Sequence, residues 1–249
     1  MNLAELLEHT AKDYLDDRVD LLDGEQDNLW SDALIVRYLN EAQRILARRA
    51  WCIVDYGVAP SGVIVLVTGK ELYPLHKSVL KVYDATPTTQ SAPLGRVEDV
   101  GLRDPTPLGS DAFDVGQAAS AAGLSTASGV TLALASDAGT RSLRVYPPPA
   151  ADQNGTRIEM KVARLPTTWL TLEDTEASPE VPEDYHMILC TYAAGKCLTQ
   201  PNVDGQMKTD GRLLLAEFDA AVKEARQDRQ RAEWNGGRWG FASTTAVIR

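Results

Sequence analysis

Residues Asn28 to Trp51 read NLWSDALIVRYLNEAQRILARRAW, and the rhythm of their apolar side chains decides what kind of fold this chain can have. Leu34, Ile35, Tyr38, Leu39, Ala42, Ile45 and Leu46 recur at steps of three and four residues, the spacing that lines one side of an α-helix. Arg37, Glu41, Arg44 and Arg48 fall between them and are expected to face outward. Ser31 stands where an N-cap belongs, and Asp32 where the helix dipole favours a carboxylate. Trp30, just before the cap, can fold back on Ile35 as a hydrophobic staple. A helix with one wide apolar side and no catalytic group needs other helices to cover it.

Those partners lie at the two ends of the chain. Upstream, Leu3, Leu6, Leu7, Thr10 and Tyr14 share one side of an expected helix from Leu3 to Asp16, and Gly24 marks a turn in the polar stretch that follows. Downstream, Pro182, Glu183 and Asp184 suit a first helical turn. Tyr185, Ile188, Leu189, Tyr192 and Ala193 then give the inward side of a helix ending near Leu198. After the break at PNVDG, a further helix is expected from Met207 to Ala232, with Leu213, Leu214, Phe218, Ala221, Val222 and Ala225 turned in. Gly236, Gly237 and Gly240 speak against its continuing, so an extended tail is expected from there.

Between the helical ends the period changes. GVIVLVTG, ELYPL, SVLKVYDA, GVTLALAS, SLRVYPPP and TRIEMKVARL are short β-branched or alternating runs separated by glycine and proline. No amphipathic crossover helix divides them, which points to an antiparallel sheet or small sandwich. The tract from Ala85 to Ser128, rich in Gly, Ala, Ser and Pro, reads as an excursion to which no structure is assigned. The expected organisation is α+β: a bundle of about four helices with an inserted antiparallel β domain. The N-terminal helices fill 1–52, the β-rich insert 53–170, the C-terminal helices 171–233, and a tail 234–249. In that bundle the helix after Ser31 would be the central beam.

Charge and composition exclude several functions. Lys and Arg number 25 against 35 Asp and Glu, a formal net charge of −10, which opposes general phosphate binding. No run approaches the roughly 20 apolar residues of a membrane span, and the first residues lack the pattern of a leader, so synthesis in a cytoplasm is expected. Cys52, Cys190 and Cys197 are odd in number, have no CxxC spacing, and read as buried thiols. His9 and His76 are isolated, and His186 sits at a helix start where capping or core packing is the simpler role. Phosphate loops, dinucleotide fingerprints, zinc-protease and serine-nucleophile motifs are absent, and the acidic stretches lack calcium-loop spacing. No catalytic residue, cofactor or metal site is assigned.

The remaining candidates are surfaces. Val222 to Arg249 carries a local charge of +3 in a chain of −10. Its Arg229, Arg231, Trp234, Arg238, Trp239, Phe241, Val247 and Ile248 combine the aromatic and arginine content of interface anchors. Arg37, Arg44 and Arg48 are candidate contacts between copies of the chain.

The order of LAELL, LWSDALIVRYLNEAQRILARRA, ELYPL, SLRVYPPP and ASPEVPEDYHMILCTYAAGKCL, followed by a long polar helix, resembles the head-to-tail adaptor proteins of tailed bacteriophages. Its most specific pieces are Trp30-Ser31-Asp32, Asn40-Glu41-Ala42, and the run from Val181-Pro182 to His186. The resemblance implies a structural virion protein without enzymatic activity, built as a helical bundle with an inserted β domain. It implies a ring, typically a dodecamer, below the portal protein at the neck of the virion. That ring would extend the DNA channel, pass the genome without specific binding, and bind a tail or nozzle protein below. The C-terminal segment would reach the portal. The long small-residue tract from Ala85 to Ser128 departs from the family pattern. A different reading, a tail-tube or other tail component whose β domain binds a ligand or glycan, is disfavoured by the few aromatics there, chiefly Tyr56, Tyr73, Tyr83 and Tyr146.

Overall fold

The computed structural model describes residues 1–16, 29–87, 133–137, 142–146, 148–201 and 203–244, with the backbone alone for 84, 86–87, 133–137, 144, 146 and 233–244. The chain forms two compact units, one of Met1–Ile53 with Leu165–Arg249 and one of Val54–Arg164. The described elements are four α-helices and seven antiparallel strands, an α+β fold.

The first unit is helical. Helix α1 (Leu3–His9) opens with a reciprocal cap in which Asn2 Oδ1 accepts from the Glu5 amide at 2.9 Å and Glu5 Oε2 accepts from the Asn2 amide at 3.1 Å. Its next orphan amides donate to the carbonyls of Ala177 and Thr175, so the incoming 171–177 segment completes the helix start. The helix then widens into a π turn over Thr10–Tyr14 where a regular helix to Asp16 is expected, with the Leu15 amide donating to the Thr10 carbonyl. Beside the widened turn, the Thr10 hydroxyl donates to the Leu6 carbonyl at 2.7 Å.

Helix α2 (Asp32–Ala50) follows Ser31, which holds N-cap geometry without a hydrogen bond from its side chain. Trp30 is buried in the helical core, as a staple requires. The inward side is turned from the expected one: Ile35, Leu39, Ala42 and Leu46 are buried, but so are Val36, Gln43, Ala47 and Ala50, while Leu34, Tyr38 and Ile45 are only partly covered. Two flanking elements cause the turn. On one flank the 165–181 segment is held by Asn40, whose side chain donates to the Leu170 carbonyl and accepts from the Leu170 amide, each at 2.9 Å. Gln43 Oε1 similarly accepts from the Glu180 amide at 2.7 Å. On the other flank Glu41 keeps its side chain 42% exposed but is tied to α3, accepting from the Tyr192 hydroxyl at 2.8 Å.

A short 3₁₀ turn at Glu183–Tyr185 leads into α3 (His186–Leu198). Buried positions include every residue from Leu189 to Gly195, together with His186, Cys197 and Leu198. Helix α3, packed by α1, α2 and the last helix, is therefore the enclosed member of the bundle, in place of α2. Helix α4 (Gly205–Thr244) buries Phe218, Val222 and Ala225 against the same core. Its backbone stays helical through Thr244, where an extended tail from Trp234 was expected. Glycine costs only about 1 kcal/mol against alanine within a helix, and no proline interrupts this stretch to break the ladder.

The second unit is organised by β7 (Arg157–Arg164), whose Ile158, Met160 and Val162 are buried while Arg157 and Lys161 are exposed. Strand β4 (Val79–Pro87) pairs along one edge of β7. Strands β1 (Val54–Tyr56) and β2 (Val63–Val65) share the other edge in succession. The loop between them returns to β7 at Met160, which accepts from the Gly57 amide and donates to the Gly62 carbonyl. Strands β3 (Leu72–Pro74), β6 (Ser142–Tyr146) and β5 (Ala133–Asp137) make a second sheet in that order. Tyr73, Leu143 and Val145 from it share one core with Ile64, Val79, Ile158, Met160 and Val162 from the first, the arrangement of a small sandwich. The six expected strands are present, and β1 is an addition too short to announce itself. The tract from Ala85 to Ser128 lies outside the described residues beyond Pro87.

Candidate interaction surfaces

The chemistry-bearing side chains of the described residues are separated. At the surface, His9 Nδ1 at the end of α1 lies 2.6 Å from Asp13 of the π turn. His76 Nδ1 lies 2.8 Å from the Ser78 hydroxyl in the β unit, and His186 is buried with Nε2 3.0 Å from the Val181 carbonyl. Burial pushes the Cys52 thiol up to about 12 and the Cys190 thiol up to about 11, so neither forms a nucleophilic thiolate near neutral pH. All three cysteines are free. Among the described residues no cluster of His, Cys, Asp or Glu has the arrangement of a metal site, and no helix is long and apolar enough to cross a membrane.

On the outer side of α2, Arg37, Arg44 and Arg48 are exposed. Their spacing of seven and four residues places all three on one helix face, over roughly 16 Å at 1.5 Å rise per residue. None forms an ion pair among the described residues. Arg49, next in sequence, behaves differently and reaches α4, donating to Asp219 at 2.5 Å. Asn40 lies one turn from both Arg37 and Arg44. The segment it holds at Leu170 includes the neighbouring Trp169, 49% exposed.

That segment has the opposite character. From Leu165 to Gly195 there are six acidic residues and no Lys or Arg. Glu180 is engaged locally, accepting from the amide and hydroxyl of Thr167 and from the Thr168 amide. Glu173, Asp174, Glu176, Glu183 and Asp184 are exposed.

The C-terminal candidates fall into groups. Arg229 is half-buried and inside the bundle's reach, where its charge acts on Cys52 and Tyr185. One turn earlier, the Arg226 guanidinium stacks over the Trp51 ring at 3.1 Å, and Trp51 adopts a left-handed φ of 56° as the C-cap of α2. Arg231 is exposed and pairs with Asp228 at 3.0 Å. Trp234, Arg238, Trp239 and Phe241 lie on helical backbone in α4, while Val247 and Ile248 are outside the described residues. The Trp51–Arg226 stack and the bonds of Asn40 to Leu170 and of Gln43 to Glu180 are not legible in the sequence, because each depends on a partner far away along the chain.

The described residues thus form a helical unit made from both ends of the chain, with a β unit inserted in the sequence between them and exposed charged faces on the helical unit. The chain matches the SU10 adaptor protein family over residues 1–240 and belongs to that family of bacteriophage adaptors. No curated protein matches it.

Proposed function

We propose that this adaptor forms a ring of identical copies at the neck of the virion, below the portal protein, where it extends the DNA channel and gives a tail or nozzle protein its docking surface. Family membership over residues 1–240 is the observation that carries this reading. The net charge of −10 on each copy supports a channel along which DNA slides without adhering. The C-terminal segment, with Arg231, Trp234, Arg238, Trp239 and Phe241 of α4 and Val247 and Ile248 after it in sequence, is the portal-docking arm. Helical backbone to Thr244 supports an arm that docks as a helix over that length in place of a loose strand. Arg229 contributes by fixing the arm's root on the bundle.

The test is mass measurement of the full chain alone and after mixing with portal protein. A ring that forms on the portal is expected, as is its loss when Trp234 to Arg249 is deleted, with the melting temperature of the remaining chain unchanged. A chain that ignores the portal, or one that binds a glycan as an isolated monomer, would overturn the reading.

A further inference from the structure

The exposed arginine face of α2 and the exposed carboxylates after Trp169 are complementary but belong to different elements of the helical unit. We infer that they are the two halves of one contact between copies: Arg37, Arg44 and Arg48 of one copy dock on Glu173, Asp174 and Glu176 of the next. This deepens the ring reading, on which it rests, by naming the surfaces that join neighbours.

Three observations carry it. The arginines share one face and have no ion pair among the described residues, whereas the neighbouring Arg49 is already paired with Asp219. The carboxylates lie in a stretch with no Lys or Arg between Arg164 and Lys196; Glu173 and Asp174 have no ion pair among the described residues, while Glu176 accepts from the Asn2 side-chain amide at 3.0 Å and keeps its charge. Trp169 stands half-exposed beside Leu170, which Asn40 holds, and tryptophan and arginine together are the composition of interface anchors. An arginine stripe cannot face its own copy across a two-fold axis without like-charge repulsion. Charge alone permits either a two-fold pair, in which each arginine face meets the other copy's carboxylates, or a head-to-tail contact; the ring reading on which the inference rests selects the head-to-tail one, which closes into a ring when its rotation allows. Duplex DNA is the weaker occupant, since a chain of −10 repels it as a whole.

The experiment uses two full-length variants, one carrying Arg37→Glu, Arg44→Glu and Arg48→Glu, the other Glu173→Lys and Asp174→Lys. Sedimentation velocity is run at low and physiological salt, with and without portal protein. Wild type is expected to self-associate, more weakly as salt rises. Each variant alone should lose association at least about tenfold, and the two mixed should recover it, because every junction in an alternating assembly is again complementary. The arginine variant gathers like charge one turn apart on α2 and places a carboxylate in its last turn, so it should melt somewhat lower while keeping the wild-type circular-dichroism spectrum. The inference is overturned if either variant assembles as wild type does, or if mixing restores nothing. Duplex DNA that binds wild type and is released by the arginine variant would overturn it as well. If wild-type copies gather on the portal and both variants do so equally, the ring reading stands and this contact falls. If wild type neither self-associates nor binds portal, both fall.

Discussion

Helices α2 and α3 pack in the same bundle yet are written in opposite ways. Helix α2 carries charge on one side and apolar residues on the other, and it keeps a face in solvent. Helix α3, HMILCTYAAGKCL, has Lys196 as its one charged residue and is buried around most of its circumference. The difference separates two jobs: the helix that must be covered on all sides organises the fold, and the helix with a free side is available for contact. Each substitution below tests whether that division holds.

The largest effect is expected at Leu39, fully buried on the inward side of α2. Leu39→Asp places an unpaired charge in the core and should cost roughly 3 kcal/mol or more, read as a collapse of the thermal transition in circular dichroism. A variant as stable as wild type would mean that α2 is not anchored by this side at all.

The next effect tests the tight side of α3. Gly195 meets α4 so closely that an added Cβ would lie 2.9 Å from Leu215 Cγ and 3.0 Å from the Gly211 carbonyl oxygen. From the other side, a Cβ on Gly211 would lie 2.8 Å from Leu198 Cβ. Helix propensity alone favours Gly195→Ala by about 1 kcal/mol, but the backbone carbonyl opposite cannot swing aside, so overpacking of about 1–3 kcal/mol should win and leave a net loss of up to about 2 kcal/mol. Denaturant melts check the sign: a stabilised Gly195→Ala would show that α3 has more room than its contacts indicate.

His186, at the start of α3, supplies a pH-dependent effect. Burial lowers its pKa from the ordinary 6.5, with the Val181 carbonyl acting against that shift. The folded state thus prefers neutral imidazole. Its stability is complete above the unfolded value and falls as pH drops below 6.5, where the unfolded chain binds the proton first. The melting temperature of wild type should decline through that window, and His186→Asn should flatten this part of the slope whatever its absolute stability. An unchanged slope would assign the acid sensitivity to other groups.

How much of this was legible in the sequence follows from the range of the signals. The α+β class, the capped start near Ser31 and the inward Leu39 depend on residues a few positions apart, and periodicity exposes them. The turned face of α2 was not legible, because Asn40 and Gln43 meet Leu170 and Glu180, more than a hundred residues on. Gly195 and Gly211 likewise reveal their close approach only when α3 and α4 meet. The enclosure of α3 could have been read from its near absence of charge, a signal that a search for amphipathic patterns passes over. The arginines of α2 were identifiable as exposed, but the acidic segment that complements them becomes a surface only once Asn40 has fixed it in place.

The smallest effects are expected from two adjacent arginines that occupy different sides of α2. Arg48 faces solvent, and Arg48→Ala should change stability by no more than about 0.5 kcal/mol, as surface substitutions do. Arg49 ties α2 to α4 through Asp219, but the two side chains are 43% and 54% exposed, so water and salt screen the pair. Arg49→Ala should cost roughly 0.2–1 kcal/mol, and a double-mutant cycle with Asp219→Ala should return a coupling in that range that shrinks at high salt. The order matters more than either size. If Arg48→Ala proved the more destabilising of the two, the outer side of α2 would be holding its own bundle together, and the separation between covered helix and contact helix would fail at the residue where it is most sharply drawn.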